Sequence, residues 1–179
     1  MICVMLANGF EEIEAFAPVD ILRRAELDVL TVGIGGKTVR GAHGITVAVD
    51  LSETEVRDKH LSALVLPGGM PGTLHLERSD TVQRLLDAAV ERKLLVGAIC
   101  AAPTILGHRG LLRGRKATCF PGCEQELYEA ILSDEPVVKD GQFLTARGPG
   151  VSVEFGLALA ALLAGETRAQ QIRRAMQCP

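Results

Sequence analysis

"LLVGAICAAPTILGH", residues 94 to 108, contains no Asp, Glu, Lys or Arg and passes from a β-like apolar run, through one cysteine, into a run of helical character. Its first half, "LLVGAIC" (94–100), is too uniformly apolar for a half-exposed strand and reads as one buried on both faces. Its second half carries Pro103, which a helix tolerates only in the first turn, so a helix starts directly behind Cys100. A buried strand that feeds a helix through so short a turn is half of a parallel βαβ unit.

The same alternation extends in both directions. "ICVMLA" (2–7), "LDVLTVGI" (27–34) and "LSALVLPGG" (61–69) read as further buried strands. "EEIEAFAPVDILRRA" (11–25) has apolar residues at helical spacing, with acids first and arginines last, as the helix macrodipole prefers. "KTVRGAHGITVAVDL" (37–51) contains two strand-like pieces around a glycine turn, and "SDTVQRLLDAAVERK" (79–93) opens on a Ser/Asp cap and continues as a helix. The remainder predicts a helix over 101–112, a strand over 115–120 and a helix over 123–133. A hairpin turning at Asp140-Gly141, a helix from Ser152 to about Leu163 and a short closing helix with a frayed end follow. Apolar strands separated by amphipathic helices predict an α/β fold, a mostly parallel sheet covered on both faces. With 179 residues and no linker or repeat, one domain over 1–179 is expected.

Composition narrows the partners. Hydrophobic residues make up 47% and charged residues 23%, a balance that supports neither a disordered nor a fibrous chain. A net charge of −3, scattered cations, one Tyr and no Trp argue against nucleic acid as the main partner. "MICVMLA" lacks a basic leader and soon meets Glu11, Glu12 and Glu14, and "VEFGLALAALLAG" falls short of the roughly 20 residues a membrane span needs. A cytoplasmic protein without membrane contact is expected. Five irregularly spaced cysteines do not form a secreted disulfide framework, and "CFPGC" (119–123) lacks the second pair or histidine of a zinc site. No metal is expected.

In an open parallel sheet, ligands gather beyond the carboxyl ends of the strands. There this chain places "ANGFEEIE", "LPGGMPG" and "AICAAP". Cys100, among small residues at a strand-to-helix turn, resembles a nucleophile elbow, and a helix N-terminus favours its thiolate. Free cysteine is also commonly a core residue, and only the position at the functional edge favours chemistry. "LPGGMPG" offers backbone N–H groups unshielded by side chains, which with the Ala101 amide form a candidate oxyanion hole. Acids in a first helical turn are ordinary dipole partners, but Pro18 four residues after Glu14 requires the helix to begin or bend there.

"GFEEIEAFAPVDILRRA", "ALVLPGGMPG", "GAICAAPTIL" and "LTARGPGVSVEFGLALA" together closely resemble the DJ-1/ThiJ/PfpI superfamily, in its DJ-1/YajL branch. The resemblance implies a flavodoxin-like three-layer sandwich and a homodimer. It also implies an oxidation-prone Cys100 with Glu14 as its carboxylic partner, and oxyanion amides at Gly69 and Ala101. It places Arg24 near the partner's site and His43 near a family arginine that faces the site across the dimer. The implied activities are a glutathione-independent glyoxalase converting methylglyoxal to lactate, a deglycase, oxidative-stress sensing and chaperone-like holding, none needing a cofactor. Two departures stand out. Human-like members carry histidine in a Thr-His-Pro stretch where this chain reads "TCFP", with Phe120 at the histidine position. The peptidase branch follows its cysteine with histidine, whereas Ala101 follows Cys100, which disfavours peptidase activity. Turnover of small 2-oxoaldehydes and redox sensing both need the same thiolate and acid, so the residues alone leave these two readings open.

Overall fold

The computed structural model describes residues 1–178. A seven-stranded sheet forms its centre, in spatial order β10-β11-β7-β6-β1-β2-β5. Its strands are β1 (Ile2–Leu6), β2 (Val29–Gly33), β5 (Leu51–Ser52), β6 (Ala63–Leu66), β7 (Leu95–Ile99), β10 (Val137–Asp140) and β11 (Phe143–Ala146). All neighbours pair in parallel except β10 and β11, the hairpin read at Asp140-Gly141. The ribbon read in 37–51 is β3 (Thr38–Arg40) against β4 (Thr46–Ala48), and its last residues supply edge strand β5. With helices on both faces, the run β2-β1-β6-β7-β11 is the flavodoxin-like order.

The strands are apolar throughout because both faces are covered. Val4 and Leu6 of β1 and Ala63 and Val65 of β6 belong to one core cluster, which also holds Ile21, Phe155 and Leu159. Cys3, Met5, Leu64 and Leu66 belong to the other, with Leu85, Leu86 and Ile105. The first layer is closed by α1 (Glu12–Arg24), α5 (Ser152–Ala164) and α6 (Glu166–Ala175). The second is closed by α2 (Gly72–Arg78), α3 (Asp80–Glu91) and α4 (Pro103–His108). Where α5 meets α1, a Cβ on Gly156 would lie 2.7 Å from Ile21 Cδ1 and 3.1 Å from Pro18 Cα. Among the described residues, no helix is long and apolar enough to cross a membrane.

α1 begins at Glu12, two residues before Glu14, and continues past Pro18 to Arg24. Several readings change. The 101–112 helix is only Pro103–His108, and the strand over 115–120 pairs only as β8 (Lys116–Ala117) against β9 (Ile131–Leu132). The helix over 123–133 is absent: a 3₁₀ turn at Glu124–Glu126 leads into β9. Of its apolar residues Leu127 is buried, while Tyr128, Ile131 and Leu132 are exposed, so a helix there has no continuous face to bury. α2, which no sequence signal marks, follows Pro71 without a side-chain cap. The closing helix is α6, and the last residue of its expected frayed end lies outside the described residues.

Candidate active site

The parallel register brings the ends of β1, β6, β7 and β11 to one edge: Leu66 pairs with Ala98 and Ile99 with Ala146. Cys100 is the next residue of β7, and its φ of +65° is the left-handed conformation that non-glycine residues rarely adopt. Both of its backbone groups are held. Its N–H donates to the Ala146 carbonyl at 2.8 Å, extending the β7–β11 ladder, and its carbonyl accepts the Phe120 N–H at 2.8 Å. The Ala102 N–H then donates to the Ile99 carbonyl at 3.0 Å and turns the chain into α4. Ladder, turn and helix together impose the strained backbone, as at a nucleophile elbow. The cysteine is 8% exposed and belongs to the core cluster, so it is both packed and reachable.

Glu14 lies in the first turn of α1 and is fully buried. Its turn is tied down by Glu11, the N-cap, whose Oε2 accepts the Glu14 N–H at 2.8 Å. Glu14 Oε2 accepts the Gly68 N–H at 2.8 Å, whereas Oε1 is sealed from solvent without a partner of hydrogen-bond geometry. Gly68 separates the two reactive groups and has no room for a side chain. A Cβ there would lie 2.8 Å from both Cys100 Cβ and Glu14 Oε2. Its carbonyl accepts the Glu11 N–H at 2.9 Å, which locks the β6 loop to the start of α1. Gly69, at φ +89°, then turns its own N–H toward the Cys100 sulfur, and the Ala101 N–H acts on the same atom.

Burial pushes the Glu14 carboxyl up to about 7, and the Glu11 charge adds to this; hydrogen bonds from Cys100 and Gly68 work the other way. The Cys100 thiol is also pushed up, first by burial and then by the charge and hydrogen bonding of Glu14, against the two amides. The expected lowering by the helix terminus is therefore outweighed, first by burial and further by an ionised Glu14. Thiol and carboxyl together hold one proton easily and two charges poorly. If the proton sits on Glu14, the carboxyl becomes a donor to sulfur and its opposing charge vanishes, so that this hydrogen bond and the Gly69 and Ala101 amides support a thiolate against the cost of burial alone.

Of the residues singled out in the sequence, Cys100, Glu14, Gly69 and Ala101 meet. His43 does not join them: its Nδ1 lies 2.7 Å from Glu12 Oε2, its N–H donates to Glu12 Oε1 at 2.8 Å, and its ring is largely exposed. Hydrogen bonding and charge from Glu12 raise the His43 pKa. Among the described residues, Glu11, Glu12 and His43 are the one group with metal-ligand atoms close together, and all are already engaged at the start of α1. Arg24 pairs with Asp20 at 2.7 Å, ten residues and so about 15 Å along α1 from Glu14. Within one chain it lies outside the site. Two contributors went unmarked in the sequence: Gly68, which positions Glu14 and leaves space for Cys100, and Ala146, which pins the elbow. The Gly68-Gly69 pair signalled a tight turn without distinguishing the two roles.

Comparison with known proteins agrees with the fold. The family model described as "DJ-1/PfpI family" matches residues 1–162. The crystal structure of Drosophila melanogaster DJ-1beta superposes with a TM-score of 0.94 at 35% identity, covering 99% of this chain and 97% of that one. A glutathione-independent glyoxalase of Caenorhabditis elegans is 32% identical over 165 residues, 90% of this chain and 87% of the relative. A deglycase of Pyrococcus abyssi is 35% identical over 158 residues, 83% of this chain and 90% of the relative. The strained cysteine, its buried acid and the sheet order thus lie in a chain that belongs to the DJ-1/PfpI family.

Proposed function

We propose that the protein consumes reactive 2-oxoaldehydes, free or as adducts with amines, through Cys100 and Glu14. The observation that carries this reading is the placement of the Cys100 thiol and the buried Glu14 carboxyl on either side of Gly68, with the Gly69 and Ala101 amides acting on the same sulfur. The thiolate adds to the aldehyde carbon, and the proton held by Glu14 passes to the new alkoxide, giving a hemithioacetal. Glu14, again a carboxylate, takes the proton from that carbon and returns one to the neighbouring carbon, while the hemithioacetal hydroxyl gives its proton to the former ketone oxygen, so the ketone becomes an alcohol and the hemithioacetal a thioester. Water hydrolyses the thioester, freeing the 2-hydroxy acid and the thiol. Aldehyde plus water equals product, so no oxidant or cofactor is consumed. Methylglyoxal would give lactate. The glyoxalase and deglycase relatives support this class of substrate.

The test is lactate formation by the wild type, Cys100→Ser and Glu14→Gln. Each substitution is expected to lower the rate on the order of 100-fold or more. Undiminished lactate from Cys100→Ser would remove the nucleophile.

The unpartnered Glu14 Oε1 supports a second reading, a redox sensor. Peroxide oxidises the thiolate to a sulfenic acid and, with a second equivalent, to a sulfinate, whose oxygen accepts a hydrogen bond from the protonated Glu14 carboxyl through this buried oxygen. Mass spectrometry after mild peroxide should locate the first added oxygen on Cys100; earlier oxidation of Cys119 or Cys178 speaks against it. We also assign the chain to one domain acting as a homodimer in the cytoplasm, a setting that its five free thiols favour.

A further inference from the structure

The surroundings of Cys100 divide into a polar floor and an apolar rim. The floor consists of Glu14 and the Gly69 and Ala101 amides, and the groups acting on the sulfur include neither a cation nor a histidine. The rim begins with Phe120. Its N–H donates to the Cys100 carbonyl at 2.8 Å, so its side chain emerges beside the elbow. Its ring lies against Gly148, where a Cβ would come within 3.2 Å of the ring carbon Cδ2. Gly148 is two residues past Ala146, whose carbonyl holds the Cys100 N–H, so backbone and ring both border the reactive turn. Pro149, next in the chain after Gly148, lines with Ile13 and Ile45 a neighbouring cavity of about 430 Å³, whose other lining residues are Glu11, Glu12 and His43. Ile13 directly precedes Glu14 in α1.

Phe120 is 45% exposed, whereas Phe10, Phe143 and Phe155 are buried in the two cores. Its ring is thus partly packed against Gly148 and leaves an apolar face open to solvent beside the elbow. Once the aldehyde carbon is bonded to sulfur and its oxygen faces the amides, the substituent on the neighbouring carbonyl has to leave the polar floor toward the rim.

We infer that Phe120 is a specificity-determining residue and that the preferred substrates are 2-oxoaldehydes with an aryl or branched-alkyl substituent, not methylglyoxal. This rests on the oxoaldehyde-consuming reading of the site. An apolar substituent gains burial and ring contact against Phe120 that a single methyl cannot reach.

The experiment compares initial rates of mandelate formation from phenylglyoxal and of lactate formation from methylglyoxal, in the wild type, Cys100→Ser, Phe120→Ala, Phe120→His and Phe120→Leu. The wild type is expected to favour phenylglyoxal in kcat/KM by about tenfold or more. Phe120→Ala and Phe120→His should lower the phenylglyoxal-to-methylglyoxal ratio about tenfold, with Phe120→Leu in between. A parallel measurement without turnover follows protection of Cys100 from iodoacetamide, where benzoylformate should protect at lower concentration than pyruvate, with the advantage lost in Phe120→Ala. Cys100-dependent turnover with equal preference for the two aldehydes, or a ratio unmoved by the Phe120 variants, overturns the specificity assignment and leaves the reading of the site intact. Absence of Cys100-dependent turnover of either aldehyde removes that reading, and the substrate assignment with it.

Discussion

At the residue scale, Glu14 turns the site's chemistry into a dependence of stability on pH. Its carboxyl is raised from 4.5 to about 7 on folding, chiefly by burial, so the native state binds this proton more tightly than the unfolded chain does. Stability from this group is therefore full below about pH 4.5, falls as pH rises toward 7 and stays level above, a loss of about 3 kcal/mol across the window. Glu14→Gln keeps the shape and removes the charge. Urea unfolding should show the variant gaining stability relative to wild type between pH 5 and pH 8; a constant difference would mean that the carboxyl is ionised throughout. Cys100 was legible at this scale because it sits between a buried strand and a proline-limited helix start, whereas Glu14 was marked only by Pro18 and owed its role to the family resemblance. His43 was not legible: an exposed loop histidine pairs with whichever carboxylate its backbone reaches, and that is Glu12. The role of Gly68 was hidden because a missing side chain leaves the same trace whether it makes room for a turn or for two reactive groups.

At the element scale, the strands that the periodicity identified are those buried on both faces, where alternation gives way to unbroken apolar runs. The stretch from 115 to 133 misled because its exposed apolar residues imitate a helical stripe, whereas its conformation is set by contacts from distant elements. Gly107 of α4 lies so close to Glu126 and Leu127 that a side chain has no room. Next to it, the charged His108 ring donates from Nδ1 to Glu77 of α2 at 2.5 Å and from Nε2 to Glu126 at 2.8 Å. No sequence window contains all three. Burial works against the charged His108 ring, but hydrogen bonds and charge from Glu77 and Glu126 together outweigh it and raise its pKa. The clamp is thus at full strength below the ordinary histidine pKa of 6.5 and is lost as pH rises through the raised folded value. His108→Gln should destabilise at pH 6 and much less at pH 9, and equal losses at both would point to packing alone. On the opposite face, Gly156→Val pushes a branched side chain into Ile21 and the Pro18 backbone, with an expected cost of about 1–3 kcal/mol in denaturant unfolding. Because α1 also carries Glu14, the loss should be accompanied by slower turnover; a destabilised variant with full activity would show that the two helices move without moving the acid.

At the scale of the whole molecule, the sheet places one half of the chemistry in each layer. Glu14 comes from a helix on one face, and Cys100 opens the turn into a helix on the other, so neither layer contains a working site alone. The same α1 also points outward. Ile13 and Ile45, each 56% exposed, stand beside the mouth together with Pro149. Isolated exposed apolar residues are ordinary, but here two large ones share a cavity next to the reactive turn, which suits contact with a second copy. Arg24 lies far from Glu14 within its own chain, so the role at a site that the family resemblance implies for it requires a second copy. If α1 packs against its counterpart, sedimentation equilibrium should return twice the 19.1 kDa chain mass, and Ile13→Glu should shift the equilibrium to the monomer by burying a charge at the contact. Arg24→Gln leaves that apolar contact intact. It should therefore preserve the dimer mass while raising KM for the aldehyde, and a monomeric Arg24→Gln would assign the arginine to assembly instead of to its neighbour's site. A wild type that sediments as a monomer while retaining full Cys100-dependent turnover would show that one chain closes its own site, with Phe120 and Ile13 forming the rim unaided.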